Sequence, residues 1–112
     1  MSRLFLLKTQ AEFEAFRASK SFETTLVKIR VRQAVNQNIP RFGFIVPKKV
    51  LAKATDRNKL KRRLKSILQK FQGELVGVDV LIFPKAQTLK KTFGELQLEL
   101  ENLFSKARIW KS

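Results

Sequence analysis

Residues 54–73 read ATDRNKLKRRLKSILQKFQG and show the clearest periodicity in the chain. Their apolar side chains recur three or four positions apart, which is the spacing of one face of an α-helix. These side chains are Leu60, Leu64, Ile67, Leu68 and Phe71. Thr55 is a candidate N-cap, Asp56 falls in the first turn, and Gly73 is a candidate C′ residue. The stretch predicts a helix that buries one stripe of its surface.

The rest of this helix is strongly basic. Residues 48–65 carry nine basic side chains and one acidic one, and no acid follows Asp56 until Glu74. The 112-residue chain has 24 Lys and Arg against 9 Asp and Glu, a net charge of +15. Such a charge repels itself in the compact state unless a polyanion is bound, so we expect a nucleic-acid partner. The residues predicted to bind RNA phosphates, with Asn58 donating to a ribose or base edge, are Lys48, Lys49, Lys53, Arg57, Asn58, Lys59, Lys61, Arg62, Arg63 and Lys65.

Before this helix the periodicity is that of strands. Between residues 22 and 35, apolar Val27, Ile29 and Val31 alternate with basic Lys28, Arg30 and Arg32. Period two predicts a strand whose second face is cationic. A loop over 36–40 and a second strand over 41–46 follow, and Pro47 ends that strand. The pattern does not decide whether another short strand lies near Phe22.

Capping-box sequences predict a helix near each end of the chain. Thr9 to Glu12 begins a short helix over 10–18, and Thr92 to Glu95 begins a final helix. Residues 78–83 predict an inner strand that Pro84 stops. The order is α-β-β-α-β-α, an α+β fold in which helices pack on a small sheet, and residues 1–112 are expected to form one domain.

Most of the ten phenylalanines are predicted to be core residues. This applies to Phe42, Phe44, Phe71, Phe83, Phe93 and Phe104. Phe13 and Phe16 lie three apart on the short first helix, beside the cationic strand. Exposed rings next to cations bind single-stranded nucleic acid by stacking, and the alternative is that both rings are core.

Catalysis by protein side chains is not expected. Cys and His are both absent, which excludes disulfides, a thiolate nucleophile and the usual general base. Asp56 and Asp79 are the only aspartates, and the four glycines do not form a phosphate loop. No signal peptide and no run of about 20 apolar residues is present, so a cytoplasmic protein without a membrane partner is expected.

Two linked motifs resemble the bacterial ribonuclease P protein subunit. Residues 41–50, RFGFIVPKKV, match a strand that ends in Ser-Lys-Lys in that family, with Pro47 in place of the serine. Residues 54–65, ATDRNKLKRRLK, match its Arg-Asn-Arg start of a basic helix, with Lys59 in place of the second arginine. Weaker similarity covers residues 7–16, residues 79–86 and the final helix.

The resemblance implies a four-stranded sheet with three helices in the order α-β-β-β-α-β-α, and a left-handed β-α-β crossover through the basic helix. It implies a protein subunit of an RNA-based endonuclease that removes the 5′ leader of precursor tRNA. The partners are then the catalytic RNA, which holds the Mg²⁺, and precursor tRNA; no catalytic or metal-binding residue and no small-molecule cofactor is expected in the chain. The implied leader-binding cleft consists of Phe13, Phe16, Lys28, Arg30 and Arg32.

Three other classes compete with this interpretation. A basic RNA-binding protein such as a ribosomal protein would have the same charge, but it gives no reason for Arg57-Asn58-Lys59 to follow Lys48-Lys49. A free-standing nuclease is disfavoured by the missing catalytic side chains. A membrane-surface protein would need an exposed apolar face beside the cations of residues 56–71.

Overall fold

The structure is a computed structural model that describes residues 5–7, 14, 16, 19–33 and 38–111. The strands are β1 (Phe5–Leu6), β2 (Lys20–Glu23), β3 (Val27–Gln33), β4 (Arg41–Phe44) and β5 (Val78–Pro84). The helices are α1 (Ala54–Phe71) and α2 (Phe93–Ala107), with 3-10 helices over Gln72–Glu74 and Ala86–Lys90. Most of the predicted first helix over 10–18 lies outside the described residues, although Glu14 is helical.

The strands form one sheet in the order β1-β4-β5-β3-β2. β4 is parallel to β1 and to β5, whereas β3 is antiparallel to β5 and to β2. The mixed α+β class is confirmed, and β2 to β5 supply the expected four strands. β1 adds a fifth strand of two residues at the edge, which is a correction. Since α1 joins the parallel neighbours β4 and β5, the basic helix forms a β-α-β crossover.

The single strand predicted from residue 22 is broken at Thr24, so the short strand near Phe22 exists separately as β2. The Thr24 side-chain oxygen accepts the backbone N–H groups of Leu26 and Val27, both at 3.2 Å. Lys85 reinforces the turn, because its ammonium donates to the Thr24 carbonyl at 2.8 Å and pairs with Glu23. The alternation changes phase at the turn, because Phe22 of β2 pairs with Ile29 of β3 and packs on the same core as Val27. The core-facing positions therefore change from even to odd numbers at the break.

Both ends of α1 differ from the prediction. The N-cap is Lys53 rather than Thr55, and within the described residues no side chain caps this end. At the other end, Gly73 lies in the 3-10 helix that continues α1. None of the four glycines, all of which are described, has a positive φ. The helix therefore ends by tightening into a 3-10 turn, which needs no left-handed glycine.

α2 carries the predicted capping box. Thr92 Oγ1 accepts the backbone N–H of Glu95 at 3.1 Å, and Glu95 Oε1 accepts that of Thr92 at 3.0 Å. The bond from the Thr92 backbone lowers the pKa of Glu95. The helix ends at Arg108, which has left-handed φ and ψ of 57° and 45°. The prediction that Phe93 belongs to the core is wrong. The residue is 36% exposed, and Lys70 Nζ lies 4.9 Å from the centre of its ring.

The two faces of the sheet are covered differently. α1 and α2 pack on one face, where the predicted stripe of α1 is buried against Val27, Ile29, Val80 and Ile82. The opposite face has a small apolar cluster of Leu7, Phe16 and Leu81, with Ile45 and Phe83 partly buried beside it. The residues that follow α2 cover the end of the core between the sheet and the two helices α1 and α2. There the Trp110 ring makes edge contacts with Phe71 and Phe104, at 5.3 and 5.8 Å between ring centroids.

Candidate nucleic-acid interface

The first candidate surface is formed by α1 and the loop before it. We call it the basic helix surface, and its members are the ten residues predicted above: Lys48, Lys49, Lys53, Arg57, Asn58, Lys59, Lys61, Arg62, Arg63 and Lys65. Six of them are exposed, namely Lys48, Lys49, Lys53, Asn58, Lys59 and Arg62, and the other four are half-buried. The buried stripe fixes the helix against the sheet, so these cations stand on a rigid support.

Arg57 has a different position from its neighbours. Its Nη1 donates to the backbone carbonyls of Leu51 and Ala52, at 2.8 and 2.9 Å. These bonds hold the loop that carries Lys49 and Lys53 against the first turn of α1. Arg57 therefore positions other cations of the basic helix surface.

The half-buried cations lie on two different flanks of α1. Lys61 and Lys65 line a cavity of about 190 Å³ together with Leu6, Leu7 and residues 42–44. Arg63 points the other way, and its Nη1 lies 3.4 Å from the Leu89 carbonyl oxygen. The basic helix surface is thus wider than one helical face.

The second candidate surface lies on the opposite face of the sheet. We call Lys28, Arg30 and Arg32 the cationic strand face; all three alternate with the core residues of β3 and are half-buried. In the register with β5 they stand opposite Phe83, Leu81 and Asp79. Lys28 Nζ lies 5.7 Å from the centre of the Phe83 ring. An aromatic ring and cations therefore do meet on this face.

Asp79 organises the cationic strand face, and its role was missed in the sequence. Its carboxylate is fully buried and accepts both Nε and Nη2 of Arg41 at 2.9 Å, in a bidentate pair. Arg32 Nη1 donates to the same carboxylate at 3.2 Å. Paired carboxylates fix guanidinium groups in orientation. The available signal was an aspartate inside the apolar run of residues 78–83, since a buried charge needs a partner.

Phe16 does not present an exposed ring, which corrects the expectation for the leader cleft. It is 2% exposed and packs with Leu7 and Leu81, because the centre of this sheet face is apolar. Its backbone carbonyl accepts Nη1 of Arg30 at 3.0 Å, so it still holds one cation of the strand face. Phe13 lies outside the described residues.

The acidic side chains that the structure describes are scattered. Among the described residues no three carboxylates come together. Asp79 is engaged by two arginines, and Glu23 is bound by Lys85, whose hydrogen bond and charge lower the pKa of Glu23. Hard divalent cations need several convergent oxygens, so this part of the chain does not fit them. None of its helices has the length and apolar character required to cross a bilayer.

Comparison with known proteins gives a consistent family. The ribonuclease P family profile matches residues 1–108. The ribonuclease P protein component of Streptococcus pneumoniae is 32% identical over 114 residues, covering 99% of this chain and 90% of that protein. That of Synechocystis is 41% identical over 70 residues, which cover 62% of this chain and 56% of that protein. A variant of the Staphylococcus aureus RNase P protein has the same fold, with a TM-score of 0.87 at 20% identity over 95% of this chain and 90% of that one. The chain belongs to the ribonuclease P protein family.

Proposed function

We propose that this chain, acting as one RNA-binding domain, is the protein subunit of ribonuclease P and assists Mg²⁺-dependent endonucleolytic removal of the 5′ leader of precursor tRNA. The observation that carries the proposal is the presence of two basic surfaces on opposite faces of one sheet. Because each surface can neutralise phosphates independently, the protein can contact two RNA segments at once. A cofactor protein that joins a catalytic RNA to its substrate needs this property.

The basic helix surface is the proposed contact with the catalytic RNA. Its exposed lysines and Arg62 would bind phosphates, and Asn58 would donate to a ribose or a base edge. Two observations support this assignment. The buried stripe of α1 fixes the helix against the sheet, and Arg57 holds the loop that carries Lys49 and Lys53 by hydrogen bonds to its carbonyls.

The cationic strand face is the proposed contact with the leader. Lys28, Arg30 and Arg32 would hold its phosphates, and the half-buried Phe83 ring beside Lys28 takes the stacking role first expected of Phe16. Phe13 remains a proposed member of the cleft. Phe16 contributes indirectly, because its backbone carbonyl accepts a hydrogen bond from Arg30.

The chemical step is proposed to belong to the RNA. Mg²⁺ would be held mainly by the catalytic RNA, because the described carboxylates are scattered or engaged by cations. The side chains of this protein would then bind and orient RNA and reduce repulsion between phosphates. We therefore expect the protein to stimulate cleavage most at low Mg²⁺.

Reconstitution tests the proposal. The protein with a ribonuclease P RNA should cleave precursor tRNA at low Mg²⁺ and low salt, whereas the protein alone should leave it intact. Leader cleavage by RNA-free protein would indicate a nuclease, and binding without any stimulation would indicate a general RNA-binding protein. Either result would overturn the proposal.

A charge variant tests the assignment of the basic helix surface. The double substitution Lys48→Ala with Lys49→Ala should weaken binding of the catalytic RNA and lower the slope of log K against log salt by about 1 to 2. The control is Lys90→Ala with Lys111→Ala, which removes two exposed lysines outside both surfaces. An unchanged slope in the folded test variant would contradict the assignment.

Two properties implied by the resemblance remain predictions. We propose that the crossover through α1 is left-handed, against the general preference for right-handed connections, and that a third helix precedes β2. An experimental structure of the holoenzyme would test both. We also propose a cytoplasmic location, which imaging of the tagged protein would test.

A further inference from the structure

A groove of about 690 Å³ lies between edge strand β2 and the end of α2. Its apolar lining consists of Phe22, Val31, Val76, Val78, Ala107 and Ile109. Its basic lining consists of Lys20, Arg32, Lys106 and Arg108, and none of the described residues that line it is acidic. A groove of this size is in the range of small-ligand sites, about 300–1,000 Å³. It combines an apolar floor with a cationic rim.

The apolar lining of the groove lies on the helix-covered face of the sheet, and the groove adjoins the cationic strand face at Arg32. Arg32 belongs to both surfaces, because it lines the groove and its Nη1 donates to Asp79 of the neighbouring strand β5. Ser19 also lines the groove, and its Oγ lies 3.5 Å from Nη1 of Arg30. A strand of RNA that leaves the cationic strand face at Arg32 therefore meets the groove next.

We propose that this groove binds a single-stranded RNA segment, namely the part of the leader that lies farther from the cleavage site than the part on the cationic strand face. This inference rests on the proposed function. Phosphates lie against the rim of lysines and arginines, and a base covers the apolar floor, as in other single-strand channels.

The end of a helix is normally unfavourable for an anion because its free carbonyls carry partial negative charge. Here two of the last four carbonyls of α2 accept backbone hydrogen bonds. The backbone N–H of Arg108 donates to the carbonyls of Phe104 and Ser105, and that of Ile109 donates to the carbonyl of Phe104. With Lys106 and Arg108 at this end, the local charge suits a phosphate.

Charge removal tests the groove in the reconstituted holoenzyme. Lys20→Ala with Lys106→Ala should weaken binding of a precursor with a leader of about ten nucleotides five- to tenfold, and should lower its salt slope by about 1.4, the value for two phosphate contacts of a single strand. A precursor with a leader of about two nucleotides should bind as before within about twofold. The matched control is again Lys90→Ala with Lys111→Ala.

Arg108→Gly is a second variant that separates charge from folding. At a φ of 57° glycine is less strained than arginine, so the substitution removes the cation without destabilising the helix end. It should weaken binding of the long-leader precursor alone, with a melting temperature that is unchanged or higher. A loss shared by both precursors, or no loss with any variant, would overturn the inference while leaving the proposed function intact. If the unaltered protein fails to stimulate leader removal, the proposed function fails and the inference fails with it.

Cross-linking gives a direct readout. The chain has no cysteine, so Ala107→Cys creates a unique attachment point on the groove wall for a photo-reactive group. Cross-links should form with leader nucleotides farther from the cleavage site than those reached from Lys28→Cys. Cross-links confined to the catalytic RNA, or to the leader nucleotides nearest the cleavage site, would overturn the inference.

Discussion

Asp79 shows how one buried residue can set the properties of a surface. Replacing it in Asp79→Asn removes the charge that holds Arg32 and Arg41 but keeps an acceptor of the same size. Because both arginines remain partly exposed to water, we expect a loss of about 2 kcal/mol in the free energy of unfolding. Leader-dependent affinity should fall although the net charge rises. Denaturant unfolding and RNA titration measure the two effects, with the exposed Glu74→Gln as the charge-matched control; a gain in leader affinity would contradict the positioning role.

Phe16 provides a second prediction at this scale. Since its ring is buried, Phe16→Ala should lower the free energy of unfolding by about 3 kcal/mol and affect long-leader and short-leader precursors alike. The control is Phe93→Ala, because Phe93 is partly exposed and contacts the Lys70 ammonium; its loss should cost no more than about 1 kcal/mol. A stable Phe16→Ala protein with a defect only for long leaders would return this ring to the cleft.

At the scale of elements, α1 begins without a side-chain cap in the described structure, and the residue at that position is a predicted RNA contact. Lys53 has the extended φ and ψ, −83° and 128°, that a serine cap requires. Lys53→Ser should therefore raise the free energy of unfolding by about 1 kcal/mol while it weakens binding of the catalytic RNA. Ala52→Ser, one residue earlier and also exposed, should do neither. A stabilised variant with undiminished RNA binding would remove Lys53 from the interface.

The helices were predictable because their signals are local. The buried stripe of α1 and the capping box of α2 are read from residues within a few positions of each other. The change from an even core position at Phe22 to odd ones from Val27 onward signals the break between β2 and β3. The geometry of the turn was not predictable, because it depends on Thr24 bonding its neighbours and on Lys85, which lies 61 positions away. The partners of Asp79 lie 38 and 47 positions away along the chain, so no local pattern reveals them.

At the scale of the whole molecule, the net charge of +15 is distributed over both faces of one sheet. Screening this self-repulsion should stabilise the free protein, so the melting temperature should rise by about 4 °C or more between low salt and about 0.5 M KCl. A glycerol series of equal osmolality controls for general solvent effects. A falling melting temperature would mean that specific ion pairs, such as those of Asp79, outweigh the repulsion.

The placement of Trp110 has a practical consequence for optical spectroscopy. It is the only tryptophan, the chain has no tyrosine, and its indole N–H donates to Ser105 Oγ at 3.1 Å while the ring rests on Phe71 and Phe104. Its emission therefore arises from one place, where the ends of α1 and α2 meet. Unfolding transfers the indole to water and shifts that emission to longer wavelength. The chain therefore carries an intrinsic fluorophore that reports the docking of α1 and α2 without any label.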